Sequence, residues 1–500
     1  MSRGDVVCLA GALGLTGAVY FPITRGYFFA DDFANLQWIA NGAGLRYLLA
    51  PYGGHILVVR NAIFWLFYSA FGMRAAPWFW SVWATHLLNV ALLFALLRTI
   101  TGTAPLAGLG AALWGVAPAN EGSLAWYAAY GHAVAASLVL LVLTCVARRV
   151  REPRPVSASE ALGWDAALLA ASCSFGVAIG VAVAFPVVVR LLFGPERITR
   201  SGRIALLALP VALLFTYVAV HWLSGPAYAR GLAYALAGAT RQSAVVAAML
   251  VHLLGAGATY ALGGVLRASY PGPFAIPVVT AFAAALGAVL LASPPPVRRL
   301  VAAFLVTLAG CYAVIAAGRG PFFATFSHAP VYGAGTPRYH YLPGAFVVTL
   351  LCLVLGRACD LAPRRACAAW VAFGVGVFTI AVVHHHLSNG TIDTHAASRA
   401  ATDGLASRLR ADVESAPPGA DVYLQNGPFG PALLQAQFAG YAGVFLIFYP
   451  DGLGRRVHFV ESRAFVRDAV PSDTRLFGML VAPEEVPAGA TVVDPLRVRR

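Results

Sequence analysis

The sequence contains no lysine and little charge of either sign. Only 11% of its 500 residues are charged, whereas soluble proteins carry about a quarter. The deficit extends over most of the chain, and 59% of the residues are hydrophobic, which excludes a large soluble core. Apolar runs of the length that crosses a bilayer recur along the chain. The sequence therefore predicts a polytopic membrane protein.

All 35 basic residues are arginines, and the formal net charge is +14. They gather in short clusters between apolar runs: Arg148, Arg149, Arg151 and Arg154; Arg197, Arg200 and Arg203; Arg298 and Arg299; Arg364 and Arg365. This pattern is typical of cytoplasmic loops under the positive-inside rule. A nucleic-acid surface would interleave a basic stripe with aromatic residues, and the sequence contains no such stripe.

The apolar runs and the arginine clusters together predict about eleven spans, with the N-terminus cytoplasmic and the C-terminus extracytoplasmic. The predicted spans are Val6–Phe21, Pro77–Leu97, Pro105–Pro118, Ala128–Val146, Leu162–Phe175, Ala178–Phe193, Ile204–Trp222, Phe274–Leu291, Leu300–Ala317, Leu342–Leu355 and Ala368–Val383. Two further apolar runs, Ile56–Phe71 and Val245–Leu266, are interpreted as interfacial helices. Counting the second as a span would place Arg298 and Arg299 outside.

The predicted fold class is an all-α polytopic membrane protein with a small C-terminal α/β extracytoplasmic domain. Residues 1–386 form the transmembrane domain, and its outward loops are 23–76, 223–273 and 318–341. Residues 387–500 carry ordinary levels of charge and form the small domain. Its predicted elements are a helix at Ser398–Ser415 and strands at Asp421–Gln425, Val444–Tyr449 and Val457–Val460.

The candidate catalytic residues are Asp31 and Asp32, which lie in an aromatic-rich stretch just beyond the first span. Charge at the membrane interface has a desolvation cost unless it is paired or used. One Asp could cap the helix that begins near Phe33. Two adjacent carboxylates suit a general base whose neighbour orients an acceptor or a cation. The sequence leaves both interpretations open.

Four blocks carry a family resemblance, in order along the chain: Asp31-Asp32, the run from His86 to Gly102, the turn from Pro118 to Trp126, and Arg338-Tyr339-His340-Tyr341-Leu342-Pro343. They resemble GT-C glycosyltransferases that use polyprenyl- or dolichyl-phosphate sugars. In particular, they are similar to bacterial relatives of tetratricopeptide-containing transmembrane O-mannosyltransferases. The sequence departs from that pattern at Glu121, which sits one position early, and it lacks the tetratricopeptide repeats.

The resemblance implies a GT-C-like fold and an inverting transfer of a sugar, a hexose or mannose, from polyprenyl phosphate to an acceptor hydroxyl. Arg338 with Tyr339 would bind the donor phosphate, because a guanidinium makes bidentate contacts to phosphate; the alternative is a snorkelling arginine. Glu121 would orient a substrate or form a structural ion pair. His55 would bind phosphate or sugar, or be a structural histidine in a glycine turn.

The remaining expectations concern partners, location and rival functions. No cofactor or metal-ligand spacing is predicted, and the sequence leaves the use of a divalent cation open. The expected partners are membrane lipids, a polyprenyl-phosphate sugar and an acceptor glycan, lipid or protein. The arginine-only basic set and abundant Ala, Gly and Val indicate a GC-rich bacterial genome, and hence the inner membrane. The rivals are a lipid or glycolipid flippase or transporter, which would place charges mid-span, and a non-catalytic scaffold.

Overall fold

The structure, a computed structural model, describes most of the chain. The described residues are 2–52, 55–225, 237–263, 270–323, 329–361, 390–429, 439–469 and 472–495, with isolated positions 233, 368, 371–372, 374–376, 379 and 382. The α-helices are α1 Arg3–Tyr20, α2 Asp31–Ala40, α3 Gly44–Leu49, α4 Val58–Phe71, α5 Ala75–Thr101, α6 Ala104–Gly115, α7 Glu121–Leu124, α8 Gly131–Val150, α9 Ala158–Ser172, α10 Val177–Phe193, α11 Arg200–Leu223, α12 Ser243–Gly263, α13 Ala275–Ala292, α14 Pro295–Phe323, α15 Ala329–Ala334, α16 Tyr341–Leu361, α17 Gly390–Glu414, α18 Gly440–Phe448, α19 Arg463–Ala469 and α20 Arg475–Met479. The strands are β1 Asp421–Gln425, β2 Arg456–Val460, β3 Leu480–Val481 and β4 Val492–Val493.

Several helix ends follow directly from the local sequence. Ser2 and Asp5 form a capping box at the start of α1, and Ser157 and Glu160 do the same for α9. Such boxes satisfy backbone amides that the first helical turn leaves without partners. Helix α5 ends where Gly102 adopts the left-handed conformation, in which a glycine has no Cβ penalty.

Eight described helices are long and apolar enough to cross a membrane, which confirms a multi-pass membrane protein. Seven coincide with predicted spans, and the eighth is Ser243–Leu262. Three predicted spans correspond to shorter helices, namely α6, α9 and α10. The predicted span Ala368–Val383 lies largely outside the described residues, so the count of eleven stays a prediction.

The described arginine clusters lie at one end of the bundle, here called the Arg-rich end. Arg98, near the end of α5, pairs with Asp5 at 2.5 Å. Arg151, Arg197 and Arg299 line one cavity at this end. The three loops that carry them therefore face the same way, as the positive-inside rule predicts. The opposite end is called the outward end below.

Helices α4 and α12 both lie at the outward end. The amide of Val59 donates to the Cys173 carbonyl at the outward end of α9 (3.1 Å), and the Tyr68 hydroxyl donates to the Ile447 carbonyl (2.7 Å). Helix α12 packs near its start on Gly320, and near its end the Tyr260 hydroxyl donates to the Gly335 carbonyl.

The contacts at both ends of α12 favour the interfacial interpretation, although its length and hydropathy equal those of a span. Arg298 bonds the carbonyls of Ser293 and Leu291 at the Arg-rich end. The chain thus leaves the Arg-rich end through α11 and returns to it through α13. If α12, which lies between them, also crossed the membrane, Arg298 would lie at the opposite end.

The C-terminal residues form a four-stranded parallel sheet of order β3-β2-β1-β4, with Asp421 opposite Arg456 in the register of the central pair. The strands predicted at Asp421–Gln425 and Val457–Val460 are confirmed. The strand predicted at Val444–Tyr449 is wrong, because this run belongs to helix α18. Eight of the nine residues of α18 are buried, so its apolar run has no alternation that could distinguish helix from strand.

The sheet region docks on the outward end of the bundle. The Tyr27 hydroxyl donates to Asp403 Oδ1 in α17 at 2.7 Å, and the Leu476 amide donates to Asn41 Oδ1 at 2.8 Å. Arg46 and Asp473 form an exposed ion pair across the same boundary. These contacts place the C-terminal region on the same side as Asp31 and Asp32.

Candidate active site

Asp32 is fully buried and holds the first outward loop against the start of α8. Its Oδ2 accepts from the Phe29 amide at 2.9 Å, and its Oδ1 accepts from the Ala128 amide at 2.5 Å. Burial raises the pKa of Asp32 to about 8, although these two hydrogen bonds and the cation of Arg60 oppose the shift. The surroundings of Asp32 therefore suit a carboxylate that holds the loop in position.

Neither Asp caps α2, so that interpretation is wrong. The N-cap is Ala30, and its side chain makes no capping bond. Ala30 has φ 48° and ψ −116°, a conformation that costs an alanine about 1–3 kcal/mol and is maintained only by its surroundings. The two bonds of Asp32 and a bond from Trp126 Nε1 to the Phe29 carbonyl (3.0 Å) hold this loop.

Asp31 is the more accessible of the two carboxylates. It is half-buried, and its side chain is hydrogen-bonded to the hydroxyl of Tyr52, an exposed residue. Burial and the negative charge of Asp31 raise the pKa of Tyr52 to about 12, so the tyrosine stays a hydrogen-bond donor. Asp31 thus has a half-buried carboxylate that is oriented by Tyr52.

Arg60 lies buried beneath the two carboxylates. Its Nη2 donates to Asn35 Oδ1 at 2.7 Å and to Asn61 Oδ1 at 2.6 Å, and its Nη1 donates to the Ala128 carbonyl. Asn35 in turn donates to the backbone carbonyl of Asp31 at 2.6 Å. This network connects α4 to the start of α2 and places a cation within electrostatic range of both acids.

The turn that carries Glu121 packs against Arg338 on the other side of the loop. Gly122 packs directly on the backbone of Arg338, and Ser123 Oγ donates to the Arg338 carbonyl at 3.3 Å. The Arg338 guanidinium lies 5.5 Å from the ring centre of Trp126 and 5.3 Å from that of Tyr339, as in cation–π contacts. Tyr339 is buried.

The Glu121 carboxylate also contacts the C-terminal region. Its Oε1 accepts a hydrogen bond from the Ile392 amide, near the start of α17, at 3.2 Å. The same turn therefore contacts Arg338 on one side and the C-terminal region on the other.

His55 contacts a cation that the sequence analysis did not single out. Arg319, in the last part of α14, donates from Nη2 to His55 Nε2 at 3.2 Å. Burial of the ring, followed by the charges of Arg319, Arg60 and Arg338, lowers the pKa of His55 to about 3. The imidazole is therefore neutral at ordinary pH.

A second histidine lies behind His55. The Phe175 ring contacts both histidines, with centre distances of 5.0 Å to His55 and 3.7 Å to His132. His132 is buried, and neither of its ring nitrogens has a hydrogen-bond partner among the described residues. It lies within electrostatic range of Arg338 and Arg319.

The structure brings the sequence-predicted residues together in two adjoining groups. Asp31 bonds Tyr52, and Tyr52 lies within electrostatic range of Arg319. Arg319 in turn bonds His55. Trp126 connects the loop of Asp31 and Asp32 to Arg338, and thereby to Glu121 and Tyr339. The residues that the sequence did not predict are Arg60, Arg319 and His132.

Carboxylates and guanidinium groups thus lie near one another at the outward end. Such an arrangement can take a proton from a hydroxyl at Asp31 while it holds a phosphate at Arg338 and Arg319.

The chain matches no protein-family model and no curated protein. It is similar to a crystal structure of ArnT from Cupriavidus metallidurans bound to undecaprenyl phosphate, with 13% identity and a TM-score of 0.42. The match covers 92% of this chain and 86% of that chain.

Proposed function

We propose that this protein is a membrane glycosyltransferase that transfers a sugar, a hexose or mannose, from a polyprenyl-phosphate donor to an acceptor hydroxyl. The observation that carries the proposal is the half-buried carboxylate of Asp31 next to the buried Asp32, linked through Tyr52 to Arg319 and through Trp126 to Arg338 at the outward end. The family resemblance of the sequence blocks supports the same reaction class. The bacterial inner membrane is the proposed location.

In the proposed reaction, Arg338 and Arg319 bind the phosphate of the donor, and Arg338 is kept in place by its contacts with Trp126 and Tyr339. Asp31 takes the proton of the acceptor hydroxyl as its oxygen bonds to the anomeric carbon. The bond from that carbon to the phosphate oxygen breaks, and the lipid phosphate leaves with the electron pair. Attack opposite to the leaving group inverts the anomeric configuration.

The other residues have supporting roles in this proposal. Asp32 fixes the strained turn at Ala30 so that Asp31 faces the acceptor. Glu121 joins the site to the C-terminal region through the Ile392 amide. Residues 387–500 are proposed to form an extracytoplasmic domain that positions the acceptor, while residues 1–386 bind the lipid donor.

The proposal is tested with purified protein in bilayer nanodiscs and polyprenyl-phosphate donors carrying radiolabelled hexoses. We expect Asp31→Asn to abolish transfer without changing the unfolding midpoint by more than the matched variant Asp473→Asn, an exposed outward carboxylate. General-base catalysis contributes about 10²–10⁴-fold in rate, so the loss is easily measured. Transfer at the wild-type rate by a folded Asp31→Asn protein would refute the assignment.

A further inference from the structure

A second cavity opens at the Arg-rich end, far from the candidate active site. It has a volume of about 470 Å³ and lies between α5, α8, α10 and α14, with the turn Pro195–Arg197 at its rim. This volume is within the range of about 300–1,000 Å³ typical of ligand sites. Helix α14 carries both Arg319 of the candidate site and Arg299 at the rim of this cavity, and their spacing along the helix separates the two arginines by about 30 Å.

The rim of the cavity carries an excess of positive charge. Three arginines, Arg151, Arg197 and Arg299, line it together with one carboxylate, Glu196. Among the described residues, none of the three arginines pairs with a carboxylate within 4.0 Å. Two of them donate instead to backbone carbonyls, Arg151 to Thr99 and Arg197 to Val150.

Arg197 also keeps an unused donor. Its Nε is buried and has no hydrogen-bond partner among the described residues, and its guanidinium lies 5.4 Å from the ring centre of Phe193. A buried donor without a partner costs free energy, and an anionic ligand at the rim would remove that cost. The neighbouring arginines Arg149 and Arg154 differ, because both pair with Glu160.

The walls below the rim are apolar. The lining side chains include Leu96, Leu143, Val188, Leu192, Leu300 and Phe304. A soluble anion such as free phosphate would use the arginines and leave these walls unoccupied. A lipid with an anionic head group would use both parts, because its phosphate matches the guanidinium groups and its acyl chain matches the walls.

We infer that this cavity binds an anionic glycerophospholipid from the membrane leaflet at the Arg-rich end. The phosphodiester lies among Arg151, Arg197 and Arg299, and one acyl chain extends between α8 and α14. This lipid is distinct from the proposed sugar donor, whose phosphate must reach Asp31 at the outward end. The inference rests on the membrane architecture and on the cavity, and it is independent of the proposed enzymatic activity.

The test uses delipidated full-length protein and native mass spectrometry with phosphatidylglycerol and phosphatidylcholine of identical acyl chains. We expect the wild type to retain phosphatidylglycerol preferentially and to unfold at a higher temperature with it than with phosphatidylcholine. The preference should fall when the ionic strength rises, because charge contacts at a membrane surface are screened. Equal binding of the two lipids by the wild type would overturn the inference without any variant.

Variants then locate the site. The triple variant Arg151→Gln, Arg197→Gln and Arg299→Gln should bind phosphatidylglycerol about a hundredfold more weakly, since each arginine near a membrane surface contributes about fivefold. The matched control removes the same charge outside the cavity at the same end, with Arg148→Gln, Arg200→Gln and Arg203→Gln, and should retain the preference. Unchanged binding in the first variant, or an equal loss in both, would refute the cavity as the site.

A variant that fills the cavity tests the contribution of the apolar walls separately from that of the arginines at the rim. Ala147 lines the cavity on α8, and Ala147→Trp should displace the acyl chain and lower phosphatidylglycerol retention while all three arginines remain. Retention at the wild-type level in this variant would contradict an acyl chain between the helices. Selective binding of polyprenyl phosphate in place of phosphatidylglycerol would likewise overturn the proposed ligand class.

Discussion

The Arg319 guanidinium donates a hydrogen bond from Nη2 to Nε2 of His55 across 3.2 Å, and this bond joins α14 to the first outward loop. Because Nε2 accepts, the neutral ring has its proton on Nδ1. The sequence suggested that His55 binds phosphate or sugar, but its Nε2 is occupied by Arg319. We propose that His55 is a positioning residue that orients Arg319, and that Arg319 contacts the phosphate.

The first prediction concerns pH and follows from the low pKa of His55, about 3 against the ordinary 6.5. Between these values the unfolded chain takes up a proton that the folded chain does not, so His55 makes the free energy of unfolding increase with pH across this window. We expect His55→Gln to remove this part of the slope, which is at most about 1.4 kcal/mol per pH unit. Thermal unfolding of both proteins from pH 4 to 7 measures it, and parallel profiles would contradict the assignment.

The second prediction displaces His55 without changing it. Gly176 has an ordinary helical φ of −60°, but a Cβ at this position would clash with Nδ1 of His55. We expect Gly176→Ala to move the ring, break its bond to Arg319 and raise the KM for the lipid-linked donor roughly tenfold, with kcat little changed. The matched control is Gly163→Ala in α9, where no described atom lies within 4 Å. Equal KM values for the two variants would refute the link between His55 and donor binding.

The third prediction tests the geometry of Arg338. In Arg338→Lys the charge remains, but the planar stack on Trp126 and Tyr339 and the bidentate contact to phosphate are lost. We expect the KM for the donor to rise roughly tenfold to a hundredfold, as measured with radiolabelled donor at fixed acceptor. Arg74→Lys should retain the wild-type KM, because Arg74 is an exposed outward arginine whose side chain bonds only the Phe71 carbonyl among the described residues. A wild-type KM in Arg338→Lys would exclude a bidentate role.

Much of the architecture could be predicted from the sequence, because membrane insertion imposes simple rules. Seven predicted spans recur as long apolar helices. The charge pattern alone predicted that Arg151, Arg197 and Arg299 lie on one side of the membrane, and all three line the same cavity. The predicted spans and the arginine distribution together placed Asp31 and Asp32 at the outward end.

The rest depended on tertiary packing that local patterns do not encode. Arg60 lies in an apolar run of α4, and only the packing of Asn35 and Ala128 around it shows that it is a buried cation. Arg319 falls at the start of a predicted loop, whereas α14 continues past it to Phe323. His132 follows a glycine at the start of a span, and its proximity to His55 depends on Phe175, 43 positions later in the chain.

The last prediction concerns the buried network beneath the acids. Arg60 is 2% exposed and has hydrogen bonds to Asn35, Asn61 and Ala128. Arg60→Met would remove the guanidinium donor from Asn61 and Ala128 and leave Asn35 Oδ1 with the Tyr47 hydroxyl as its donor. It would also remove the cation near Asp32, so we expect the free energy of unfolding to fall by about 3 kcal/mol. Arg46→Met, which breaks an exposed ion pair with Asp473, should cost at most about 1 kcal/mol.

A double-mutant cycle separates loss of the charge partner from loss of packing. Above pH 8, where Asp32 is ionised, Asp32→Asn alone removes a charge but retains an oxygen acceptor for one of the two backbone amides. If the cation of Arg60 stabilises the Asp32 carboxylate, the loss from Arg60→Met should be smaller in the Asp32→Asn background than in the wild type, because the neutral amide no longer needs a cation. Additive losses in unfolding experiments above pH 8 in one detergent would show that Arg60 acts through its hydrogen bonds to Asn35, Asn61 and Ala128 alone. The raised pKa of Asp32 would then reflect burial without compensation from Arg60.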